Sequence, residues 1–277
     1  MPKEKKPAVL IAALLAATVL VGIVLGSGAL KKNSAVEKPE ISEARTAAAE
    51  DPPVPEKTPT PKEPKEPEPE VETLPSGDFD IVGSIVTFGV YEQDNDPENG
   101  KEPIEWVVLD VQDGRSLLIS KYALDCRPYN TDYRPDLTWE TCSLRKWMNE
   151  DFMREAFSGE EQKSILEITV SADRNPEYDT DPGKDTEDRI FLLSIPEAER
   201  YFDSDAAGQC IASHYALAKG CYADPRDGSC DWWLRSPGFN TALAAFVDSC
   251  GVVRYSGDAV ASAPFGVRPA LWISTEP

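Results

Sequence analysis

Histidine is almost missing from this chain: His214 is the only one in 277 residues. Any Ser-His-Asp or Cys-His arrangement must therefore run through that one imidazole. It sits in CIASHYALAKG, a stretch that reads as a helix or its flank, and a structural or surface histidine is the simpler reading. Also absent are G-x-S-x-G, H-E-x-x-H, a glycine-rich phosphate loop and a zinc-type cysteine pattern, since Cys221 and Cys230 lie too far apart for a knuckle. Positive charge is scarce, with 28 Lys and Arg against 49 Asp and Glu and a net charge of -21. A surface this acidic repels nucleic acid and anionic lipid, which excludes both as partners and leaves solubility or cation binding as its meaning. Carboxylates are so abundant that an inventory neither supports nor removes an acid-base hydrolase.

No charge interrupts residues 8–25, and the apolar character continues to Leu30, 23 residues in all. That length crosses a hydrocarbon core about 30 Å thick. The expected layout is a cytoplasmic tail at 1–7, a retained membrane anchor within 1–30 and everything later outside the cytoplasm. Lys3, Lys5 and Lys6 before the segment only narrowly outweigh Lys31 and Lys32 after it. A cleavable signal peptide is the rival, because Ser27 and Ala29 suit a small-residue cleavage site, although the apolar run exceeds the usual core of such a peptide. From 31 to 77 there is no aromatic residue, but there are ten prolines, eleven acidic and seven basic residues. Such a segment cannot bury enough apolar surface to offset the entropy of ordering. It is expected to be a disordered, semi-rigid stalk of polyproline II character.

The remaining residues, 78–277, are enough for one packed domain. Period-two alternation broken by Gly and Pro predicts strands at 85–91, 104–111, 117–120, 190–193, 232–235, 244–248, 252–255 and 267–273. Asp113-Gly114 marks a hairpin turn between the second and third of these. Pro269 inside the last one predicts an edge strand or a bulge. Ser143 is the expected cap of a helix carrying Leu144, Trp147, Met148 and Phe152. Ser158 with Glu161, and Ser194 with Glu197 and Pro196, have the form of capping boxes. The fold class is α+β: a twisted antiparallel sheet with flanking helices and long loops.

Three groups of residues are candidates for binding. Asp94, Asp96 and Glu98, with Asn95 and Asn99, offer hard oxygen ligands in one loop, and Asp179, Asp181, Asp185 and Asp188 offer them in another. Calcium is the one cofactor these clusters suit, although neither has EF-hand spacing and an ordinary solvated loop explains each. Trp232 and Trp233 are adjacent in a predicted strand, so one faces the core and the other the opposite face, where it stacks on a sugar or peptide or packs under a helix. Arg235 and Arg268 join them as ligand-binding candidates and are expected to bridge carboxylates or carbonyls within the sheet. The six cysteines all lie in the folded region, and an even number in an exported domain predicts disulfides. Cys221–Cys230 is the first expectation, because Pro225 and Asp227-Gly228 turn the chain between them; Cys126–Cys142 is the second. Burial as small apolar thiols is the alternative.

The strings PIEWVVLD, LLISKYALDCRPYN, WETCSLRKWMN, DRIFLLSIPEAERYF, WWLRSPG and GVRPALWI resemble an uncharacterised domain that recurs in surface proteins of Gram-positive, often gut-dwelling, bacteria. The resemblance spans nearly all of 80–275. More distantly, GVRPALWI resembles the closing strand of C-type-lectin-like domains of the formylglycine-generating-enzyme type. That likeness implies a mixed fold with long ligand-bearing loops; the cysteine pair those enzymes use for copper-dependent oxidation has no counterpart of matching spacing. The expectation is a single-pass, membrane-anchored extracytoplasmic domain that binds a surface glycan, peptide or protein and has no catalytic activity. The alternative is a carboxylate-based enzyme acting on a cell-wall or host polymer.

Overall fold

The computed structural model describes residues 77–261 and 265–275. The expected anchor and stalk, apart from Gly77, lie outside them. Among the described residues no helix is long and apolar enough to cross a membrane.

The domain opens with strands β1 (Ile85–Tyr91), β2 (Glu102–Gln112) and β3 (Arg115–Ser120). The β2–β3 turn is tight because Asp113 and Gly114 both take positive φ, 46° and 71°, which matches the twist of the flanking strands. In β1 the register slips between Thr87 and Val90. Gly89 sits in that slip at φ 72°, and a Cβ there would lie 2.6 Å from the Phe157 ring, so no other residue fits.

The chain continues through β4 (Tyr122–Ala123) and β5 (Asp125–Cys126) to a long loop and a helical stretch. That stretch contains α1 (Ser143–Trp147), a π-helical turn (Met148–Phe152), α2 (Met153–Ala156) and α3 (Gly159–Ser164). The helix starts one residue earlier than expected. Cys142 is the cap, its Sγ accepting the Arg145 N–H at 3.4 Å, while the Ser143 hydroxyl instead accepts the Thr131 N–H at 2.9 Å. Next come β6 (Ile168–Val170), β7 (Thr186–Asp188), β8 (Ile190–Phe191), α4 (Ile195–Tyr201), α5 (Asp205–Gly208), β9 (Ile211–Ala212) and α6 (His214–Ala218). Both expected capping boxes form: Ser158 and Glu161 close α3, and Ser194 and Glu197 close α4.

The C-terminal part supplies β10 (Trp232–Pro237), β11 (Leu243–Val247), β12 (Val253–Ala259), β13 (Gly266–Val267) and β14 (Ala270–Ser274). Two five-stranded sheets result, in the orders β1-β2-β3-β14-β8 and β12-β11-β10-β13-β5. The first is antiparallel throughout; in the second, β10 and β13 run parallel. The single closing strand expected from sequence is therefore two strands in two sheets. Pro269 lies at the break, not on an edge. Ser120 donates to the Pro269 carbonyl at 2.9 Å and Leu124 to the Val267 carbonyl at 2.9 Å, so β3–β5 and β13–β14 run side by side across both sheets.

The core is aromatic. Trp106, Trp232 and Trp233 are fully buried, and their indole N–H groups donate to the carbonyls of Phe88, Gly208 and Arg127 at 2.7, 3.0 and 2.9 Å. Burial without an unmade hydrogen bond is what lets such large side chains stabilise the interior.

Candidate functional site

Three loops meet at one end of the domain: residues 127–138 after β5, 171–185 between β6 and β7, and 238–242 between β10 and β11. Each is held by short polar side chains suited to turns. In the first, the buried Asn130 donates from its backbone to Val260 O at 2.8 Å, while its Oδ1 accepts from Ser143 N at 2.8 Å. In the second, Asn175 Nδ2 donates to Pro237 O at 2.8 Å and Tyr255 O at 2.7 Å, and Thr180 Oγ1 reaches Gly238 O and Phe239 O, both at 2.9 Å. The Thr241 hydroxyl ties the third loop to the first through the Pro135 carbonyl. Lys184 meets Glu140 at 3.9 Å, joining the second loop to the helical turn at the end of the first.

This end exposes aromatic surface beside polar groups. Tyr133 is 69% exposed and Phe239 60% exposed, and Tyr178 meets the Phe239 ring edge-on at 5.2 Å. Next to Tyr133, a cleft of about 500 Å³ is lined by Asp132, Arg134, Glu140, Arg145, Lys146 and Glu150, together with Asn130, Thr131 and Asn149. Three acids face three bases there, so the cleft lacks the acidic excess of the chain as a whole. The π-helical turn begins at its wall; such turns often mark functional positions.

None of the residues singled out from sequence as ligand-binding reaches this surface. Trp232 and Trp233 are both 0% exposed, so of the two readings of the second indole the packed one holds and neither ring offers a stacking face. Their strand, β10, lies inside its sheet and every residue of it is buried, so alternation offers no solvent face. Arg235 is buried and bridges carboxylates as expected: it binds Glu197 through both terminal nitrogens and Asp173 at 3.1 Å, and donates to Leu192 O at 2.9 Å. Arg268 is buried as well. Its Nε donates to Ser120 O at 3.0 Å, and its guanidinium lies 5.0 Å from the Trp232 ring and 5.2 Å from the Phe202 ring.

The two acidic clusters do not assemble as expected. Asp179 pairs with Arg174 at 2.8 Å, Asp181 accepts from Gly183 N at 3.0 Å, and Asp185 accepts from Ala172 N at 2.7 Å. Asp188 is buried between Trp139 Nε1, Arg145 Nε and Thr186 Oγ1 at 2.9, 2.7 and 2.6 Å, which makes it a structural anchor and not a metal ligand. In the other loop Asp94 and Asp96 accept from Asp96 N and Glu98 N, the bonding of successive tight turns. Of the expected ligands only Asp94 belongs to a group of convergent carboxylates, with Glu92 and Glu102, whose oxygens lie within 4.8 Å of one another. Burial and the nearby Glu102 push the Glu92 carboxyl up, whereas a hydrogen bond from Asn99 holds Asp94 down. The strand-end partners Glu92 and Glu102 were invisible in sequence, because only the β1–β2 pairing brings them together.

All six cysteines are free thiols, so neither expected disulfide is formed. Cys142 is occupied as the α1 cap, and the Cys126 thiol is hydrogen-bonded to Cys221 instead. His214 opens α6 at the surface, in keeping with the sequence reading.

A family model described as a domain of unknown function, DUF6273, matches residues 113–275, more than half of the chain. The chain belongs to the DUF6273 family. No curated protein and no solved structure matches it. The DUF6273 match contains all three loops of the candidate site but begins at the β2–β3 turn. Strands β1 and β2 precede the match, yet they complete the same hydrogen-bonded sheet.

Proposed function

We propose that this DUF6273 chain is a membrane-anchored, stalked domain that binds a glycan at the outer face of the cell, using the loop end around Tyr133 and Phe239. The observation that carries the reading is the exposed Tyr133, flanked by the cleft residues Asp132 and Arg134 of a charge-balanced polar cleft, with Phe239 exposed on the loop that Thr241 ties to Pro135. Pyranose rings present apolar C–H faces that stack on aromatics, and hydroxyls that bond to exposed side chains of the cleft such as Thr131, Asp132 and Arg134. A neutral polyhydroxylated ligand suits such a cleft better than an anion or cation does. The apolar run at residues 8–30 and the proline-rich segment at 31–77 support an anchor and spacer for presenting this surface.

A glycan array probed with the detergent-solubilised full chain tests the proposal. The expected result is retention of a subset of glycans without change in their mass. Cleavage of a bound glycan supports the hydrolase alternative, and binding only of peptides or proteins overturns the ligand class.

A further inference from the structure

Four cysteines from separate parts of the chain, Cys126, Cys210, Cys221 and Cys230, meet inside the domain, and each is buried. Their backbones explain the meeting. Ile211 bridges Ser229 in an antiparallel pairing and Cys230 N donates to Cys210 O at 2.8 Å, so Cys210 and Cys230 sit directly opposite each other. Such a cross-strand pair has Cα atoms about 5.5 Å apart, within the span a disulfide bridges. Gly266 pairs with Cys126, and a Cβ on Gly266 would lie only 3.2 Å from Cys230 Sγ, so the missing side chain makes room for sulfur. The N-terminus of α6 is fixed to the approach to β5, with Ser213 N donating to Ala123 O at 3.0 Å and Ser213 Oγ to Leu124 O at 3.3 Å. Cys221 follows that helix, tied back to Ala216 O at 3.0 Å.

The thiols contact one another in a row: Cys126 with Cys221, Cys221 with Cys230, and Cys230 with Cys210. A tetrahedral zinc site would need all four sulfurs about 3.8 Å from one another. Among the described residues, the group of three or more ligand atoms that gathers within 4.8 Å is Glu92, Asp94 and Glu102, not the sulfurs. A second observation points to thiolate chemistry. The Arg268 guanidinium beside this row is buried, has no carboxylate partner among the described residues, and leaves Nη1 without a hydrogen bond.

We propose that this row is a redox site that closes into two disulfides, Cys126–Cys221 and Cys210–Cys230, by exchange with an external disulfide. Only that pairing uses every thiol of the row. The Cys221–Cys230 bridge expected from sequence strands the two end thiols, and here it serves as an intermediate. Hydrogen bonds from Cys126 and Cys230 hold the Cys221 thiol below its ordinary value, which favours the thiolate there. Burial opposes the Cys210 thiolate, but the Arg268 charge favours it.

Cys126 and Cys221 are the least buried of the four, at 7% and 6% exposure. The Cys221 thiolate attacks one sulfur of the external disulfide, forming a mixed disulfide and expelling one thiol. Cys126, losing its proton, displaces the second thiol and closes Cys126–Cys221. Cys230 then attacks the Cys221 sulfur and releases Cys126, and Cys210 attacks the Cys230 sulfur and releases Cys221. A second external disulfide reoxidises Cys126 and Cys221. Four protein thiols lose four electrons and four protons, and two external disulfides become four thiols.

The test is time-resolved alkylation and peptide mapping of the full chain in oxidised glutathione. The expected end point is Cys126–Cys221 with Cys210–Cys230, while Cys142 and Cys250 are alkylated. Cys221→Ser is expected to slow closure of Cys210–Cys230 by at least roughly tenfold, whereas Cys250→Ser, exposed and outside the row, leaves it at the wild-type rate. Cys221–Cys230 as the final bridge, four thiols that stay reduced, stoichiometric zinc on the cysteines, or a Cys221→Ser chain that closes Cys210–Cys230 at the wild-type rate each overturn the proposal.

Discussion

Arg235 and Arg268 are both buried arginines, yet among the described residues only Arg235 has carboxylate partners. Removing one partner of a buried ion pair leaves the other desolvated and uncompensated, at a cost of about 3–5 kcal/mol. Arg235→Ala is therefore expected to lower unfolding free energy by roughly that amount, read from urea denaturation; a change below about 1 kcal/mol contradicts the bridging role. The sequence suggested the bridging of Arg235 because a cation in an apolar strand needs counter-charges. It could not reveal that both tryptophans beside it are covered, since that depends on what packs over each face of β10.

Asp231, half-buried just before β10, adds a pH-dependent prediction. Burial pushes its carboxyl above the ordinary value, against the pull of the Ser249 N–H that its Oδ1 accepts at 2.7 Å. The native state then holds that proton more tightly than the unfolded chain, so stability falls as pH rises from the unfolded value near about 3.9 through the folded one. Asp231→Asn keeps the accepting oxygen and removes the buried charge. The variant is expected to be more stable than wild type near pH 7 and to lose that advantage near pH 3. An equal difference at both pH values refutes the assignment.

At the scale of elements, the most legible features were those written within four residues. Ser158 with Glu161 and Ser194 with Glu197 could be read directly, because a capping box is local in sequence. Ser158→Ala is expected to cost about 1 kcal/mol, and Ser194→Ala more, because Glu197 also holds Arg235. Equal losses in chemical denaturation show that the α4 cap and the arginine are uncoupled. The division of the closing strand was not legible: Pro269 announced an interruption, but the sheet joined by each half depends on partners more than a hundred residues away. The Cys142 cap was missed for a different reason, since sulfur is an unusual acceptor where a serine stands next in line.

Across the whole molecule, α+β character and the acidic exterior followed from composition and periodicity, whereas the convergence of three loops did not. Tyr133 and Phe239 looked like ordinary loop residues, and only tertiary pairing carries them to one end. The DUF6273 match starts inside the first sheet, so a chain beginning at Asp113 leaves the β3 edge unpaired. That truncation is expected to aggregate, while one beginning at Asp78 unfolds cooperatively; a soluble, cooperatively folding 113–277 fragment contradicts the unit drawn here. Protease added to intact cells is expected to remove the domain and leave residues 8–30 in the membrane fraction, whereas a soluble product starting near Leu30 shows a cleaved leader.

The proposed loop end as the binding surface is tested most directly by titrating a glycan retained on the array against wild type, Tyr133→Ala and Phe239→Ala while following melting temperature. Each truncation is expected to weaken binding by about 1.5 kcal/mol, roughly tenfold, with the melting temperature unchanged because both rings are exposed. Wild-type affinity in both variants contradicts the account.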